Sequence, residues 1–258
     1  EIAKINDSGI NQDGDILNNS ILDTDNLTNI KELHLENNMI GNLEALNSFS
    51  DYYPNLEILN LNYNSLTSLN DLKNIDKIKE LYLNDNNIAT IETTDVKNMA
   101  NLKVLELANN SLDDLSISNL LALYDKSTLE EIDISGNTNI TNFNNLGAFE
   151  NLNVIKASEA GITDITDAKG EIKIASLDTL DLSYNNITTV SALNTIETIG
   201  TLRLTANPLA DISALEEIDI DKLYLLQVPE ANKTTIENTV NTLRNKGTDV
   251  RVSYKTYN

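Results

Sequence analysis

The chain holds one histidine, His34, and no cysteine, so reactive chemistry has few places to start. A serine–histidine–aspartate triad has one possible base here, and a cysteine–histidine pair has none. The nine glycines are scattered and form no loop able to cradle a phosphate. Paired carboxylates are plentiful, but with 40 acidic against 18 basic residues most are expected to be solvated rather than catalytic. The stretch Asn11, Asp13, Gly14, Asp15 spaces oxygen ligands like a calcium loop. The end positions of such a loop would be Gly9 and Ser20, neither of them a carboxylate, so a polar turn is the better reading. No catalytic residue, metal site or cofactor is expected; a hydrolase working through exposed carboxylates is the enzymatic alternative. Sequons such as those at Asn26 and Asn186 are what an asparagine- and threonine-rich chain produces by chance.

The residues with a regular spacing are asparagines. Asn38, Asn64, Asn86, Asn110, Asn137, Asn185 and Asn207 each close the phrase L-x-x-L-x-L-x-x-N-x-[IL]. It reads "IKELHLENNMI" at 30–40, "LEILNLNYNSL" at 56–66, "IKELYLNDNNI" at 78–88 and "LKVLELANNSL" at 102–112. It continues as "LEEIDISGNTNI" (129–140, one residue longer), "LNVIKASEAGI" (152–162), "LDTLDLSYNNI" (177–187), "IGTLRLTANPL" (199–209) and a degenerate "IDKLYLLQV" (220–228). Ala160 and Val228 replace the asparagine in the sixth and ninth copies. Alternation over L-x-L predicts a short strand with both leucines inward. No single copy can bury those leucines, so the copies must stack into a parallel sheet. The chain then turns sharply, leaving backbone groups without sheet partners, and an inward amide carries the donors and acceptor to bond them. The asparagines are therefore expected to be structural, each bonding its own coil and the next. Where Ala160 breaks the series, a recruited water or a local distortion is expected.

Over residues 27–228 this pattern resembles that of leucine-rich-repeat proteins, and its short units resemble those of internalin-like bacterial surface proteins. The resemblance implies an α/β fold: a right-handed leucine-rich-repeat solenoid of about nine coils, with a parallel concave sheet and terminal caps. A single domain spanning 1–258 is expected, with a partial N-terminal cap at 1–26 and a C-terminal cap at 229–258. Ile16, Leu17, Ile21 and Leu22 suit the first cap. In the second, "NKTTIENTVNTLRNKG" (232–247) predicts a helix with Asn232 as N-cap and Ile236, Val240 and Leu243 inward, followed by a strand at 249–254 with Val250 and Val252 inward. Longer intervals at 46–55, 115–128 and 165–176 predict insertions on the opposite side, the second with a helical turn or two.

Residues between and beside the leucines must point out of the sheet. The central column reads His34, Asn60, Tyr82, Glu106, Asp133, Lys156, Asp181, Arg203, Tyr224. Flanking positions add Glu32, Glu36, Tyr63, Glu80, Asp85 and Glu131 over the first five copies, where these columns hold seven acids and no lysine or arginine. The candidate ligand-binding residues are Glu32, His34, Asn60, Tyr63, Glu80, Tyr82, Asp85, Glu106, Glu131 and Asp133. Internalin-like resemblance implies a secreted or cell-surface recognition module that binds a protein, or a glycan, on its concave face. A protein ligand with a basic patch, and a monomer, are expected. An intracellular leucine-rich-repeat scaffold or regulator is the alternative. A formal charge of -22 repels nucleic-acid phosphates, and no apolar run is long enough for membrane insertion, so neither partner is expected.

Overall fold

A computed structural model describes residues 2–4, 29–43, 53–70, 72, 75–96, 99–120, 128–142, 144–163, 165 and 174–256. The paired apolar residues of the N-terminal cap, the calcium-like stretch, Asn26 and most of the insertions at 46–55 and 165–176 lie outside these residues. Among the described residues eleven strands follow one another in sequence order, pairing in parallel with their neighbours. They are β1 (Ile2–Lys4), β2 (Glu32–His34), β3 (Ile58–Asn60), β4 (Glu80–Tyr82), β5 (Val104–Glu106), β6 (Glu131–Asp133), β7 (Val154–Lys156), β8 (Ser176–Asp181), β9 (Thr198–Arg203), β10 (Asp219–Pro229) and β11 (Asp249–Lys255). Strands β2 to β10 are the L-x-L segments of the nine copies. Parallel neighbours require a crossover, and here the remainder of each copy supplies it, carrying among the described residues only short helices: α1 (Thr93–Val96), α2 (Asp114–Asn119) and 3-10 turns such as Ser191–Thr195 and Ser213–Glu217. This is the α/β repeat solenoid expected. The chain forms two compact units, Glu1–Ile132 and Asp133–Asn258.

In the first unit Leu33, Leu59, Leu81 and Leu105 stand side by side in register and are buried. So are Leu35, Leu61, Leu83 and Leu107, and each such side chain contributes about 1.5–3 kcal/mol by leaving water. β1, which the sequence reading left inside the cap, pairs with β2 and sets Lys4 at the register position beside His34. In the crossover, Asp113 caps α2 by accepting from the Ser116 N–H at 2.9 Å. The helical turn expected there is present, with Leu120 buried and Leu115 exposed.

The asparagines are inward and buried. Asn64 Oδ1 accepts from the Asn38 and Ile40 N–H groups, both at 3.0 Å, and its Nδ2 donates to the Leu35 and Leu61 carbonyls, both at 2.9 Å. Asn86 and Asn110 repeat the arrangement one coil further each time. The ladder thus joins each coil to the preceding one rather than the next: the amide lies level with the turn already completed behind it. Immediately before each asparagine the chain enters the left-handed region, at Asn37, Tyr63, Asp85 and Asn109, with φ of 62°, 56°, 56° and 55°. The sequence reading missed this row, because only one copy of the nine places a glycine there.

In the second unit Ile155, Leu180, Leu202, Leu223 and Val250 form the corresponding inward row. Asn185 and Asn207 continue the ladder, while Asn137 donates to the Ile134 carbonyl of its own coil at 2.9 Å. At Ala160 the amide is missing, and the longer fifth copy compensates for it. Its extra residue lets the Ile140 N–H fold back onto the Asn137 carbonyl at 3.0 Å, replacing the bond a ladder amide would have accepted. Gly161, at φ 89°, lies so close to that turn that a Cβ would overlap the Thr138 carbonyl oxygen. The sixth coil, where a recruited water or a distortion was expected, keeps the regular bonds from its Ala160 and Ile162 N–H groups to Asn185, and the adjustment falls in the fifth copy.

The C-terminal helix α3 (Lys233–Lys246) buries Ile236, Val240 and Leu243 and ends at Gly247, whose φ of 106° closes the helix. Asn232 does not cap it. Its φ of -100° and ψ of 4° are not those of a capping residue, and its amide donates instead to the Leu209 carbonyl at 2.9 Å. β11 then pairs with β10 and buries Val250, whereas Val252 is only half-buried.

Candidate binding face

In the first unit β2 to β5 each have a half-buried, buried, half-buried pattern, so the residues either side of the inward leucine form rows on the outer face of the sheet. Neighbours within a row are about 4.8 Å apart. In the first unit the central row is His34, Asn60, Tyr82, Glu106, and the row before it is Glu32, Ile58, Glu80, Val104, with Glu131 on β6. Tyr63 and Asp85 are not on strands. They occupy the left-handed turn, and Tyr63 is 57% exposed. Glu36 starts the same turn in the first copy.

Tyr82 stands at the centre of this arrangement. Its hydroxyl donates to Glu80 Oε2 at 2.6 Å. Partial burial, the Glu80 hydrogen bond and the charges of Glu80, Glu106 and Glu131 all push its phenol well above the usual tyrosine range. Apart from burial, each of these influences is negative charge gathered around one aromatic ring. At the other end His34 lies between two carboxylates, Nε2 at 3.7 Å from Glu32 Oε2 and Nδ1 at 3.7 Å from Glu36 Oε2. Glu36 Oε2 is buried and accepts no hydrogen bond among the described residues.

Not every candidate is equally available. Asn60 Oδ1 accepts from the Asn62 N–H at 3.0 Å, and Asp133 Oδ1, at the start of the second unit, accepts from the Ser135 N–H at 2.9 Å. Both thus help build the turn after their own strand. Asn62 and Asn84 pass the pattern along, accepting from the Asn84 and Ala108 N–H groups at 2.7 Å, while Asn84 Nδ2 donates to Glu106 Oε2 at 2.6 Å. This second polar ladder was missed; its signal is the run of Asn, Asp and Ser at the outward positions around the second leucine. A further row was missed too, two residues before the inward leucine. There Lys31 and Lys79 clamp Glu57, at 3.1 and 2.7 Å, and Lys103 pairs with Glu130. The Glu57 carboxyl is held below its usual range, chiefly by the Lys79 and Lys31 hydrogen bonds. The acidic rows are therefore bordered by lysines, which a count over three columns does not include.

In the second unit the central row is Lys156, Asp181, Arg203, Tyr224, and β11 adds Arg251 beside Tyr224. The Arg203 and Arg251 guanidinium carbons lie 4.7 and 5.5 Å from the Tyr224 ring centroid. Among the described residues no group of histidines and carboxylates could hold a metal ion, and no helix is long and apolar enough to cross a membrane.

The Leucine Rich Repeat family pattern matches residues 176–196, one copy of the unit whose stacking and ladder recur through both halves of the chain. The chain is built of leucine-rich repeats. Its fold is that of the internalins: one from Listeria monocytogenes superposes with a TM-score of 0.68 at 20% identity, over 92% of this chain and 71% of that one. By sequence the leucine-rich-repeat protein is 32% identical to Protein PAC2 of Saccharomyces cerevisiae over 62% of this chain and 30% of that protein. It is 31% identical to tubulin-folding cofactor E of Arabidopsis thaliana over 72% of this chain and 38% of that protein. It thus spans about a third of the length of these two relatives. Stacked repeats of this kind present extended surfaces suited to protein–protein recognition.

Proposed function

We propose that this leucine-rich-repeat protein is a secreted or cell-surface recognition module, monomeric and non-enzymatic, that binds a protein ligand on the outer sheet face of its first unit. The observation that carries this is Tyr82, a large ring with low rotamer entropy set among Glu80, Glu106 and Glu131. Glu32, His34, Asn60, Tyr63 and Asp85 extend the surface on either side, and Asp133 borders it in sequence. Such a site favours a partner with a lysine- or arginine-rich patch, because charge of this kind mainly speeds encounter and is screened beyond about 8 Å at physiological salt. A glycan stacked on the tyrosines is the other ligand compatible with the same rings. The sequence repeat recurs on both sides of Ile132, which supports a single domain over 1–258.

The test is a binding screen against host and bacterial surface proteins, followed by kinetics of any hit. The expected result is association that slows markedly with added salt and a loss of more than about 1 kcal/mol on Tyr82→Ala. A genuine ligand whose affinity survives Tyr82→Ala combined with Glu106→Ala would refute the site. The alternative, an intracellular scaffold or regulator, is favoured by one observation, the 31% identity to a tubulin-folding cofactor. Fractionation of the natural source separates the two settings.

A further inference from the structure

The second unit carries a surface whose chemistry is opposite in sign, and the proposed function does not use it. Asp181, Arg203, Tyr224 and Arg251 are consecutive register neighbours on β8 to β11. Two guanidiniums converge on one half-buried tyrosine ring, at 4.7 and 5.5 Å. Like charges placed this close repel, and on a chain with 40 acids the expected remedy is a carboxylate seated between them. The remedy is incomplete. Asp181 Oδ2 is 3.6 Å from Arg203 Nε, too far for a hydrogen bond, and Asp181 Oδ1 is already taken by the Ser183 N–H at 2.9 Å. Arg251 is exposed and has no ion pair among the described residues. Its planar fork is therefore held by the ring while its donors face solvent, the geometry that suits a bidentate carboxylate. Lys222 is exposed on the adjacent row, and Leu226, 37% exposed, follows Tyr224 by two positions on the same face of β10.

We propose that the Arg203–Tyr224–Arg251 row is a docking surface for an acidic segment of a partner protein, with its carboxylates on the two guanidinium forks and a neighbouring apolar side chain against Leu226. Charge complementarity argues for this occupant: on a chain of formal charge -22, two guanidiniums converging on one ring offer an anionic ligand a local surface of opposite sign. The row lies in the second unit and does not depend on the ligand of the first, so each proposal can fail alone.

A fluorescent Glu-Glu-Leu-Glu-Glu peptide and its glutamine analogue, titrated at low salt and followed by anisotropy, test it. The glutamate peptide should bind at least about tenfold more tightly than the glutamine one, and Arg251→Gln or Arg203→Gln should each remove about tenfold of that affinity. Lys103→Gln, a change in the first unit, should leave it unaltered. Equal affinity for the two peptides, or binding indifferent to Arg251→Gln, overturns the proposal. So does a lowered melting temperature for Arg251→Gln with no peptide binding by the wild type, since the stack would then serve only to fasten β11 to β10. Self-association of the wild type that Arg251→Gln abolishes would make the occupant a second copy and overturn it equally.

Discussion

Replacing Asn185 by alanine tests the ladder where its bonds are fully defined. Asn185 Oδ1 accepts from the Ala160 and Ile162 N–H groups at 3.1 and 2.9 Å, and Nδ2 donates to the Ala157, Leu182 and Ser183 carbonyls. The side chain is 4% exposed, so water cannot readily take its place. Carbonyls tolerate loss of a partner better than N–H groups do. The cost is therefore dominated by two orphaned donors at about 1–2 kcal/mol each, about 2–4 kcal/mol together. The reverse substitution, Ala160→Asn, restores the consensus and so looks stabilising from the sequence. The Ile140 N–H is already satisfied by the Asn137 carbonyl, however, and the new amide would enter a buried position where that donor is taken. It should destabilise by about 1–2 kcal/mol. Urea unfolding followed by far-UV circular dichroism measures both, with midpoints compared at equal slopes. An Asn185→Ala protein within about 0.5 kcal/mol of wild type, or an Ala160→Asn protein more stable than wild type, refutes the account.

Gly161→Ala should be among the most damaging small substitutions, because it meets both φ 89° and the Thr138 carbonyl; a soluble variant with an unchanged urea midpoint would contradict the close approach. Tyr63→Asn should raise stability by about 0.5–1 kcal/mol, since asparagine tolerates the left-handed conformation better than tyrosine, while weakening any ligand of the first unit. Thermal melts and binding run in parallel would show both changes, and a fall in stability would remove the strain argument. Burial pushes the Tyr53 phenol up to about 12, against an unfolded value near 10. The unfolded state then loses its proton first, so stability is intact below about pH 10 and falls as pH rises through the folded value. Ultraviolet titration of phenolate with unfolding at stepped alkaline pH checks this; ionisation of every tyrosine near pH 10 in the folded protein would contradict it.

The repeat was legible in the sequence because its physics is local and recurs. Period-two leucines can bury only by stacking, and an asparagine at a fixed offset is the side chain able to bond a turn that leaves the sheet. Leu33, Leu59 and Leu81, and Asn64, Asn86 and Asn185, are therefore where their types and spacing placed them. The helix ending at Gly247 was readable for the same reason, its stripe and stop signal lying within one short segment.

What only tertiary structure decided depends on which residues become neighbours across coils. The ladder's direction follows from the level at which each amide meets the turn behind it, which no single copy contains. The left-handed row was hidden because Asn, Tyr, Asp, Glu and Ala share a conformation imposed by the stack rather than by their own preferences. Ala160, the extra residue of the fifth copy and Gly161 look like three separate irregularities in the text, yet they form one compensated turn because residues 137–140 and 160–161 pack together. The candidate face changed for the same reason. Register set Lys4 at the position beside His34 and Arg251 beside Tyr224 from segments that belong to no repeat, and Lys31, Lys79 and Lys103, each one residue before its strand, joined rows that a column count had left out. Sequence determines what each copy must bury. The stacking of copies decides which outward charges meet.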